Sequence, residues 1–579
     1  MKVSSDASIN AGLDPRVGPN VRLGDDPPEL QTSRRAQAEP HIVRDPNTPD
    51  TLAAVFQEGR YGDVGGGAVD CGYSISHDGG LTWSRALIPQ LTQASGGPYY
   101  RATDPVAGID LQGRIFLCTL AFADANKTIF PIVVSCSTNG GASFEAPVEV
   151  YRNPNGNLSP DKNWIAINTF AQSSTAGRIV VTWTMFENTS PFGSPIACSF
   201  SDDAGQTWSA VRYATPPTYS CQGSQPVFLS DGTLAIVYWN FASSLTGGTA
   251  IEVVTSSDGG GSFGSAQLVT PVTEYDAPGI RQGSFLPSAT GDRRNGILAV
   301  TYQTLYQGGP KVMFTQSTNK GATWSVPVPA SDNPTNAPIF NPGISVSPDG
   351  QIVTIAFYDQ RVNPANANLV DLFLAQSFDG GASWQPNLRL TSVSSDVTLA
   401  PLTAEGYMLG DYLAVAPTTS ADVPAVPVWI DTRTGDPDPF IGRVGIAPQL
   451  VFSSWRAARF SLSQISTPAI GDPGADPDAD GIVNLVEYAF GLSPWIPDSP
   501  VFQAGFSGGT FTTFYERISG ASDLNYSWLG SSDLSQWSPV TPTNVVVRPS
   551  PNRHTETVSS GFAAPSAARY FRLGVQRHN

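Results

Sequence analysis

The octapeptide SHDGGLTW, Ser76–Trp83, returns almost unchanged as SFDGGASW at Ser377–Trp384. Both are copies of one pattern, Ser-x-Asp/Asn-x-Gly-x-Ser/Thr-Trp/Phe, which occurs six times at intervals of 55 to 64 residues. The copies begin at Ser76, Ser137, Ser201, Ser256, Ser317 and Ser377. A repeat of this period indicates one structural unit that is used again and again along the chain.

The repeated pattern has the chemistry of a hairpin turn. An alternating strand leads into each copy, the Asp or Asn side chain can bond to backbone amides, and the Gly suits a positive φ. The aromatic residue then begins the outgoing strand. Together with the other apolar runs of each period, the pattern predicts a four-stranded β-meander, and meanders repeated around an axis form an all-β propeller.

In its residues the repeat resembles the Asp box, or BNR repeat, of the sialidase-like β-propellers. The resemblance covers roughly residues 38 to 450 and implies a fold rather than an activity, because one fold hosts many functions. It also implies that each box lies on the turn between the two outer strands of a blade, away from the active face. The wider pattern, from EPHIVRDP through GDY to WIDTR, is similar to secreted bacterial proteins of the exo-α-sialidase-like type.

The number of blades follows from the segments that lack a box. Three further strand-length runs come after the sixth box, at Tyr412–Ala416, Ala425–Ile430 and Phe440–Ala447. The N-terminal arm, at Asn20–Gly24, can supply a fourth strand. We therefore predict a seven-bladed β-propeller with six Asp boxes, and six blades as the alternative.

Composition and charge exclude several classes of function. Gly (56) and Pro (49) are abundant and charged residues make up only 14% of the chain, which is typical of a turn-rich β protein. The net charge is -17 and the longest basic run is Arg34–Arg35. Binding to nucleic acid or to an anionic membrane is therefore not expected, and no apolar run is long enough to span a membrane. We expect a monomer.

The five cysteines follow no CxxC pattern, which argues against a zinc or redox site. Cys118 and Cys136 fall on adjacent predicted strands. They can form a disulfide bond or, alternatively, stay unpaired and pack as small buried hydrophobic side chains. The N-terminal segment MKVSSDASINAG has no apolar core and is not a signal peptide as written.

Candidate site residues come from the strand ends that converge near the axis of a propeller. These positions are rich in carboxylates, guanidinium groups and aromatic rings, which suit an acidic carbohydrate. The candidate substrate-binding residues are Glu39, His41, Arg101, Arg281, Asp359, Arg361, Trp429, Asp431 and Arg433. The candidate catalytic residues are Asp104, Asp161, Glu187, Asp411 and Tyr412.

The sialidase resemblance implies roles for some of these residues. Sialidases have an Arg-Ile-Pro on the first blade, an arginine triad for the substrate carboxylate, a Tyr/Glu nucleophile pair and an Asp acid/base. The first inner strand here has no Arg-Ile-Pro. A different clamp of Arg101, Arg281, Arg361 and Arg433 is possible, with Tyr412 as nucleophile beside Glu187 or Glu39. The acid is then one of Asp104, Asp161 and Asp411.

Three other interpretations stay open from the sequence. His41, Arg101 and Tyr412 resemble the base, carboxylate-neutralising group and acid of seven-bladed lyases that act on uronates. A non-catalytic propeller that binds glycans or serves in adhesion or surface assembly is the second. In the third, the Asp-x-Arg pairs at Asp359 and Asp431 are structural, each Asp fixing a loop and each Arg bridging to a neighbouring blade.

A calcium loop is predicted outside the repeats. In DPDADGIVNLVE, Asp476, Asp478, Asp480, Ile482, Asn484 and Glu487 occupy positions 1, 3, 5, 7, 9 and 12 of an EF-hand loop. The loop resembles the half EF-hand of dockerins, and the helical pattern that follows stops at Gly491. Ca²⁺ is the expected cofactor, and because such sites fill at extracellular calcium, we expect a secreted or cell-surface protein.

Four segments are predicted in total. Residues 1–36 form an N-terminal arm, 37–450 the propeller, 451–496 a linker with the calcium loop and a short helix, and 497–579 a C-terminal β-sandwich module. The expected function is that of a secreted, sialidase-like glycoside hydrolase acting on an acidic extracellular glycan.

Overall fold

The computed structural model describes residues 13–30, 35–62, 66–187, 193–281, 286–334, 336–420, 422–447, 450–500, 502–507, 510–549, 555–563 and 570–578. The chain forms two compact units. One comprises residues 21–420 and 425–442, and the other comprises the residues before 21, residues 421–424 and those from 443 onward. No helix in these described ranges is long and apolar enough to cross a membrane.

The strands up to residue 444 are short and are separated by turns, as the abundance of Gly and Pro predicts. In chain order they are β1 Val17–Arg22, β2 Gln37–Arg44, β3 Leu52–Arg60, β4 Ala68–Ser76, β5 Ser84–Leu87, β6 Arg101–Ile109, β7 Ile115–Phe122, β8 Pro131–Ser137, β9 Val148–Arg152, β10 Leu158–Ile167, β11 Ile179–Glu187, β12 Ile196–Ser201, β13 Arg212–Tyr213, β14 Cys221–Phe228, β15 Leu234–Ser243, β16 Gly248–Ser256, β17 Gln267–Pro271, β18 Ile280–Arg281, β19 Ser288–Gly291, β20 Leu298–Tyr306, β21 Gly309–Ser317, β22 Val328–Pro329, β23 Ile339–Val346, β24 Val353–Asp359, β25 Leu369–Ser377, β26 Leu388–Arg389, β27 Ser395–Asp396, β28 Leu402–Thr403, β29 Gly406–Met408, β30 Ala414–Ala416, β31 Val426–Asp431 and β32 Asp438–Val444. Short 3-10 turns lie at Gln93–Ser95 and Val397–Leu399.

Most of these strands pair with their sequence neighbours in antiparallel groups of four. Within the described part of the chain the groups are β2–β5, β6–β9, β10–β13, β14–β17, β19–β22, β23–β26, and β30–β32 with β1. The single residue pair Ala68–Ala102 joins the first two groups into one eight-stranded sheet, and β27 adds a fifth strand to the group β23–β26. The last group takes its fourth strand from the N-terminal segment. A separate three-stranded sheet is formed by β18, β28 and β29.

Each of the six box turns follows the third strand of its group, and all six share the hydrogen bonds made by their Ser and Asp or Asn side chains, whereas the bond from a Trp side chain occurs in three of them. In the first, Ser76 Oγ donates to Asp78 Oδ1 (2.8 Å) and accepts from the Gly80 N–H (2.9 Å). Asp78 Oδ1 also accepts from the Thr82 N–H (2.9 Å), and Trp83 Nε1 donates to the Gly80 carbonyl oxygen (3.1 Å). The six box glycines have φ between 83° and 104°. The predicted hairpin turn is therefore confirmed.

Neighbouring groups pack against each other through apolar side chains. Val55 of β3 and Leu117 of β7 lie in one buried cluster that joins the first two groups. Phe56 of β3 and Val428 of β31 lie in another, which joins the first group to the last. The succession of groups therefore closes on itself, and the fold of this unit is all-β and propeller-like.

The second unit contains four short helices and a pair of sheets. The helices are α1 Phe452–Arg459, α2 Leu462–Ile465, α3 Pro468–Gly471 and α4 Asn484–Phe490. The strands are β33 Phe502–Ser507, β34 Thr510–Ile518, β35 Leu524–Ser531, β36 Ser538–Pro539, β37 Asn544–Pro549, β38 Thr555–Ala563 and β39 Tyr570–Arg577. One sheet has the order β33-β34-β38-β37 and the other β36-β35-β39.

Residues 451–496 do not behave as a linker. Trp455 and Tyr488 are fully buried, and they share one apolar cluster with Ile518 and Leu524 of the β-strands. The helices and the C-terminal strands therefore have a common core. This differs from the predicted boundary at residue 497, because large apolar side chains on α1 and α4 need a partner surface that the segment itself does not supply.

All five cysteines are buried and unpaired with one another. Cys118 faces Val134 across the strand pair, and Cys136 faces Phe116. Cys118 and Cys136 are therefore small buried side chains that form no disulfide with each other.

Candidate functional site

A ring of irregular backbone positions marks the centre of the propeller-like unit. The first strand of five groups carries a register shift, at Ala38/His41, Thr103/Val106, Asp161/Trp164, Gln222/Gln225 and Phe340/Gly343. At each shift one residue has φ between 51° and 68°; we call these residues the bulge ring: Glu39, Asp104, Lys162, Gly223 and Asn341.

Proline explains the position of three of these bulges. Glu39, Asp104 and Asn341 each precede a proline, which has no N–H to donate and so interrupts the ladder of hydrogen bonds. A left-handed backbone costs about 1 kcal/mol or more for a residue that is neither Gly nor Asn. Glu39, Asp104 and Lys162 all have this strained, left-handed backbone. Strain of this kind concentrates at functional sites, which makes the bulge ring the candidate site.

A buried carboxyl pair forms one side of the site. Burial, followed by the neighbouring Asp104 carboxylate, raises the pKa of Glu39 well above its usual value. Burial alone would raise the pKa of Asp411, but the charges of Arg281, Lys162 and Arg60, together with a hydrogen bond from Glu39, lower it. The pKa values of the two neighbouring carboxyl groups are therefore shifted in opposite directions.

The backbone brings Asp411 and Arg281 together. The short strands β18 and β29 run parallel, with Arg281 opposite Met408. Arg281 Nη2 then lies 3.3 Å from Asp411 Oδ2, and its Nε donates to Glu405 (3.1 Å). Gly410, with φ 132°, makes this turn possible, because a Cβ there would lie 2.5 Å from the Glu39 nitrogen.

Asp161 and Asp104 are two further carboxyl groups with different surroundings. Burial and the Asp104 charge raise the pKa of Asp161 to about 7, and Gln222 Nε2 donates to its Oδ2 (2.8 Å). Asp161 remains partly exposed. Asp104 is buried and accepts from Thr103 Oγ1 (2.9 Å) and from the Lys162 backbone N–H (2.9 Å). Asp104 thus holds the strained backbone of the next group.

Two buried cations at the site have no carboxylate within salt-bridge distance among the described residues. Arg60 Nη1 donates to Gln57 Oε1 (3.2 Å), and Gln57 Nε2 donates to Glu39 Oε2 (2.5 Å). Lys162 is 5% exposed, and its Nζ has no hydrogen-bond partner in the described part of the chain. Its closest feature is the ring of Tyr412, whose centroid is 3.8 Å from Nζ.

Tyr412 and His41 do not occupy the positions expected of a nucleophile and a base. The Tyr412 hydroxyl donates to the Pro105 carbonyl oxygen (3.0 Å), and burial raises its pKa well above the usual value. His41 Nδ1 accepts from the Ala107 N–H (3.2 Å), and burial lowers the pKa of the imidazole to about 3. The basic nitrogen of His41 is therefore already occupied.

The Asp-x-Arg pairs are local clamps at the ends of β24 and β31. Asp359 accepts from Arg361 Nη2 (2.7 Å) and from its backbone N–H (2.7 Å). Asp431 does the same with Arg433 (2.6 and 2.9 Å). Trp429 is completely buried and its Nε1 donates to Asp431 (3.1 Å), so its ring cannot stack on a sugar. The two Asp-x-Arg pairs and Trp429 are therefore engaged in structural contacts.

Arg101 and Glu187 lie at the edge of the candidate site. The Arg101 guanidinium stacks 3.4 Å from the centroid of the Tyr61 ring and donates to the Gly66 carbonyl oxygen (2.8 Å). Glu187 ends β11, and its charge contributes to raising the pKa of Tyr213 on the outer strand β13. The charges that act on Tyr412 are those of Glu39, Asp104, Cys71 and Asp411, and the expected pairing of Tyr412 with Glu187 is not among them.

A narrow cavity opens at the centre of the ring. It offers about 20 Å³ to the centres of water molecules, which is room for one or two waters. Its walls include Lys162, Trp164, Gln225, Asn341 and Asp411. Asp411 Oδ1 is buried without a hydrogen-bond partner among the described residues.

Lys162, Arg60 and Asn341 are the central residues that sequence reasoning left out of the site. The available signal was their position: Asn341 precedes a proline at the same strand offset as Glu39 and Asp104, and Lys162 stands at the corresponding place. Asn341 links two groups, since its Nδ2 donates to the Gly410 carbonyl oxygen (2.6 Å).

The acidic loop of the second unit brings its predicted ligands together. Asp476, Asp478 and Asp480 each offer an oxygen within 4.8 Å of the others. The loop is folded by hydrogen bonds from the Gly481 N–H to Asp476 (2.9 Å) and from the Ile482 N–H to Asp480 (2.7 Å). The preorganised turn therefore faces its side-chain oxygens towards one point.

Five oxygens at this loop are buried and have no hydrogen-bond partner in the described residues. They are Asp476 Oδ1, Asp478 Oδ2, Asn484 Oδ1, Glu487 Oε1 and Glu487 Oε2. The Asn484 amide nitrogen donates to two carbonyl oxygens, of Ile470 (2.7 Å) and Asp472 (2.9 Å), which fixes the amide orientation. Burial and the charges of Asp478, Asp480, Asp498 and Asp476 raise the pKa of Glu487 to about 8. This donor set, all oxygen and rich in carboxylate, fits a hard divalent cation.

No protein-family model matches the chain, and no curated protein matches it in sequence. Among solved structures, a Penicillium chrysogenum α-L-arabinanase complexed with arabinobiose is similar at 16% identity, over 58% of this chain and 92% of that one, with a TM-score of 0.40. A polysaccharide lyase, an ulvan lyase, is similar at 13% identity over 71% and 94% of the chains, with a TM-score of 0.42. The phage phi92 endosialidase is similar at 12% identity over 75% and 70%, with a TM-score of 0.42. Similarity at this level assigns neither a family nor an activity to this chain.

Proposed function

We propose that the first unit is a seven-bladed, sialidase-like β-propeller that hydrolyses an acidic extracellular glycan at the bulge ring. The observation that carries the proposal is a group of carboxyl groups, Glu39, Asp104, Asp161 and Asp411, whose charges act on one another at one strained centre of the fold. The seven four-stranded groups and the apolar contacts between the first and last of them support the blade count.

The proposed general acid is Asp161, and the proposed carboxylate is Asp411. Glycoside hydrolysis needs one carboxyl group that is protonated and one that is ionised. A pKa of about 7 suits Asp161 to give its proton to the glycosidic oxygen near neutral pH. Asp411, held ionised by Arg281, supplies the negative charge that stabilises an oxocarbenium-like transition state. Glu39 positions Asp411 through the hydrogen bond between them.

The local contacts of Tyr412 and His41 favour hydrolysis over the lyase alternative. A lyase needs a free base near the acidic carbon, whereas His41 Nδ1 is occupied by the Ala107 N–H. The Tyr412 hydroxyl is bonded to Pro105 and lacks the low pKa that a nucleophile would need. In this proposal Tyr412 serves as a wall of the pocket.

The test is an activity screen with matched variants. Sialoglycans, pectin, ulvan and plant gums are incubated with the protein while released sialic acid, reducing ends and unsaturated uronate are followed. Asp161→Asn and Asp411→Asn are expected to lower kcat by about 100-fold or more. Asp203→Asn, which removes a carboxylate from a surface box turn, is the control and is expected to keep activity.

The outcomes separate the three interpretations. Activity of the wild type should fall as the pH rises through about 7, because Asp161 then loses the proton it must donate. An unsaturated uronate product would favour the lyase alternative. Binding of a glycan without any product would favour the non-catalytic alternative, and wild-type rates in both variants would overturn the assigned roles.

We also propose that the second unit binds Ca²⁺. Support comes from the buried, unpartnered oxygens of Glu487 and Asn484 and the clustered carboxylates of Asp476, Asp478 and Asp480. The Ile482 carbonyl takes the remaining loop position of the predicted site. The cation would neutralise the mutual repulsion of these groups. Filling of such a loop at extracellular calcium supports secretion.

Calcium binding is tested by calorimetric titration and thermal unfolding. Adding Ca²⁺ should raise Tm, and Mg²⁺ should do so less, because it rarely occupies an all-protein oxygen cage. Glu487→Gln should weaken Ca²⁺ binding strongly, whereas Glu556→Gln on a neighbouring strand should not. An unchanged Tm with saturating Ca²⁺ would contradict the proposal.

A further inference from the structure

The buried ammonium group of Lys162 has no role in the proposed mechanism. Its side chain is 5% exposed, and its Nζ has no hydrogen-bond partner and no salt bridge among the described residues. The residue also has a left-handed backbone, φ 54°. An unpaired buried charge and a strained backbone both cost stability, so neither would be kept for packing alone.

The Lys162 backbone is held in this position by its neighbours. Its N–H donates to Asp104 Oδ2 (2.9 Å), and the Asn163 side chain donates to the Asp104 carbonyl oxygen (3.0 Å). The Tyr412 ring supports the ammonium from one side at 3.8 Å. The donor atom is thus fixed in place although it has no acceptor within the chain.

The cavity supplies the place for the missing acceptor. Lys162 and Asp411 both line it, and Asp411 Oδ1 is unpartnered as well. A donor that is a cation and an acceptor that is a carboxylate are therefore presented to one space of about 20 Å³. That space has the size of one or two water molecules, so an oxygen atom of a bound sugar acid that entered it would meet both Lys162 and Asp411.

The ion pairs around the cavity leave two cations, Lys162 and Arg60, without a carboxylate within salt-bridge distance in the described part of the chain. Asp411 pairs with Arg281 (3.3 Å), and the charges of Lys162 and Arg60 act on it from further away. Asp104 and Asp161 also act on this group of charges, so what the protein leaves unmatched is the hydrogen-bonding capacity of Lys162 Nζ and not the net charge.

We infer that Lys162 is the specificity-determining residue of the site, which binds the carboxylate of a sugar acid while Asp411 accepts a hydroxyl of the same sugar. This inference rests on the proposed glycan site. A charge-assisted bond from a buried ammonium to a carboxylate is worth about ten-fold or more in affinity. A neutral sugar would leave the ammonium unmatched.

The experiment compares acidic and neutral sugars with three variants. Binding of glucuronate against glucose, galacturonate against galactose, and N-acetylneuraminate against its methyl ester is measured by calorimetry, and KM and kcat are measured wherever turnover occurs. The variants are Lys162→Met, which removes the charge, Lys162→Arg, which keeps it, and Lys320→Met. Lys320 is exposed and pairs with Asp231 outside the site, so the last variant controls for net charge.

The expected result is a preference of the wild type for at least one acid over its neutral partner by about ten-fold or more. Lys162→Met should abolish that preference and raise KM more than it lowers kcat, and Lys162→Arg should retain part of it. Lys162→Met should also raise Tm, because a buried unpaired charge is removed, whereas loss of a purely structural lysine would lower it. Lys320→Met should behave as the wild type.

Each other outcome has a defined meaning. No acid preference in the wild type, or the same preference in Lys162→Met, overturns the inference. Hydrolysis of a glycan without any role for Lys162 leaves the proposed function standing and the inference refuted. Acid binding that depends on Lys162 without turnover leaves the inference standing and refutes the proposed hydrolysis.

Discussion

Replacing Asp161 by asparagine should stabilise the protein at alkaline pH while it removes the proposed activity. Burial and the Asp104 charge raise the pKa of Asp161 from 3.8 to about 7. Between these two pH values the folded protein keeps a proton that the unfolded chain has released. The free energy of unfolding therefore falls by about 1.4 kcal/mol per pH unit across this window.

The total effect of this one group is about 4 kcal/mol at most, and it is complete above pH 7. Below pH 3.8 both states hold the proton, so the stabilising contribution is fully present there. Asparagine has no charge and can still accept the hydrogen bond from Gln222 Nε2. The unfolding free energy of the variant should therefore no longer fall between pH 3.8 and about 7, while the hydrogen bond from Gln222 is kept.

The measurement is urea unfolding of the wild type and Asp161→Asn at pH values below, within and above the window. Asp203→Asn provides a control of opposite sign, because hydrogen bonds from Thr207 and Ser201 lower the pKa of Asp203 to about 2. That variant should lose stability relative to the wild type above pH 3.8, with the difference vanishing towards pH 2. If the unfolding free energies of the wild type and Asp161→Asn change with pH in the same way, Asp161 is not protonated at neutral pH and its role as general acid is refuted.

Three further changes test the scaffold and the pocket wall. Gly481→Ala in the acidic loop should lower the unfolding free energy by about 1 kcal/mol, because φ is 92° and the added Cβ meets nothing within 4 Å; an unchanged Tm would contradict this. Arg85→Met should cost about 3 to 5 kcal/mol in urea unfolding, since it leaves the buried Glu58, now 2.8 Å from Arg85, as an unpaired charge; adding Glu58→Gln should recover much of the loss. Tyr412→Phe should keep kcat within about ten-fold, whereas loss of a nucleophile would reduce activity by orders of magnitude.

The parts that could be predicted from the sequence are those that are built from local contacts. The box turn needs only Ser76, Asp78 and Gly80, and each hydrogen bond spans two to four residues. The acidic loop is equally local, since its ligands lie within twelve consecutive positions. Residue types and their spacing are then sufficient to predict the geometry.

The chemistry at the centre depends on contacts that sequence spacing does not reveal. The Tyr412 hydroxyl meets Pro105, which is 307 positions away, and this bond makes Tyr412 a wall rather than a nucleophile. Asp359 and Asp431 suggested a substrate clamp, yet each is satisfied by the arginine two residues later. The position of Lys162 on its strand places it among the converging polar residues, but the partner that its Nζ lacks can be seen only in the structure.

The chain contains two kinds of structural repeat: the box turns, which indicate the fold, and the bulge ring, which indicates the functional site. The six box turns repeat both the backbone and the side chains, and the side-chain hydrogen bonds of the repeated Ser and Asp or Asn residues remain inside each turn. The bulge ring repeats the left-handed backbone but changes the side chain each time, from Glu39 to Asp104, Lys162, Gly223 and Asn341. A turn that served only the fold would use Gly or Asn at all these positions, because those residues tolerate the conformation best. Glu39, Asp104 and Lys162 therefore point to roles for their side chains beyond the turn itself, and replacing each by glycine should remove a distinct part of the activity although it relieves the backbone strain at that position.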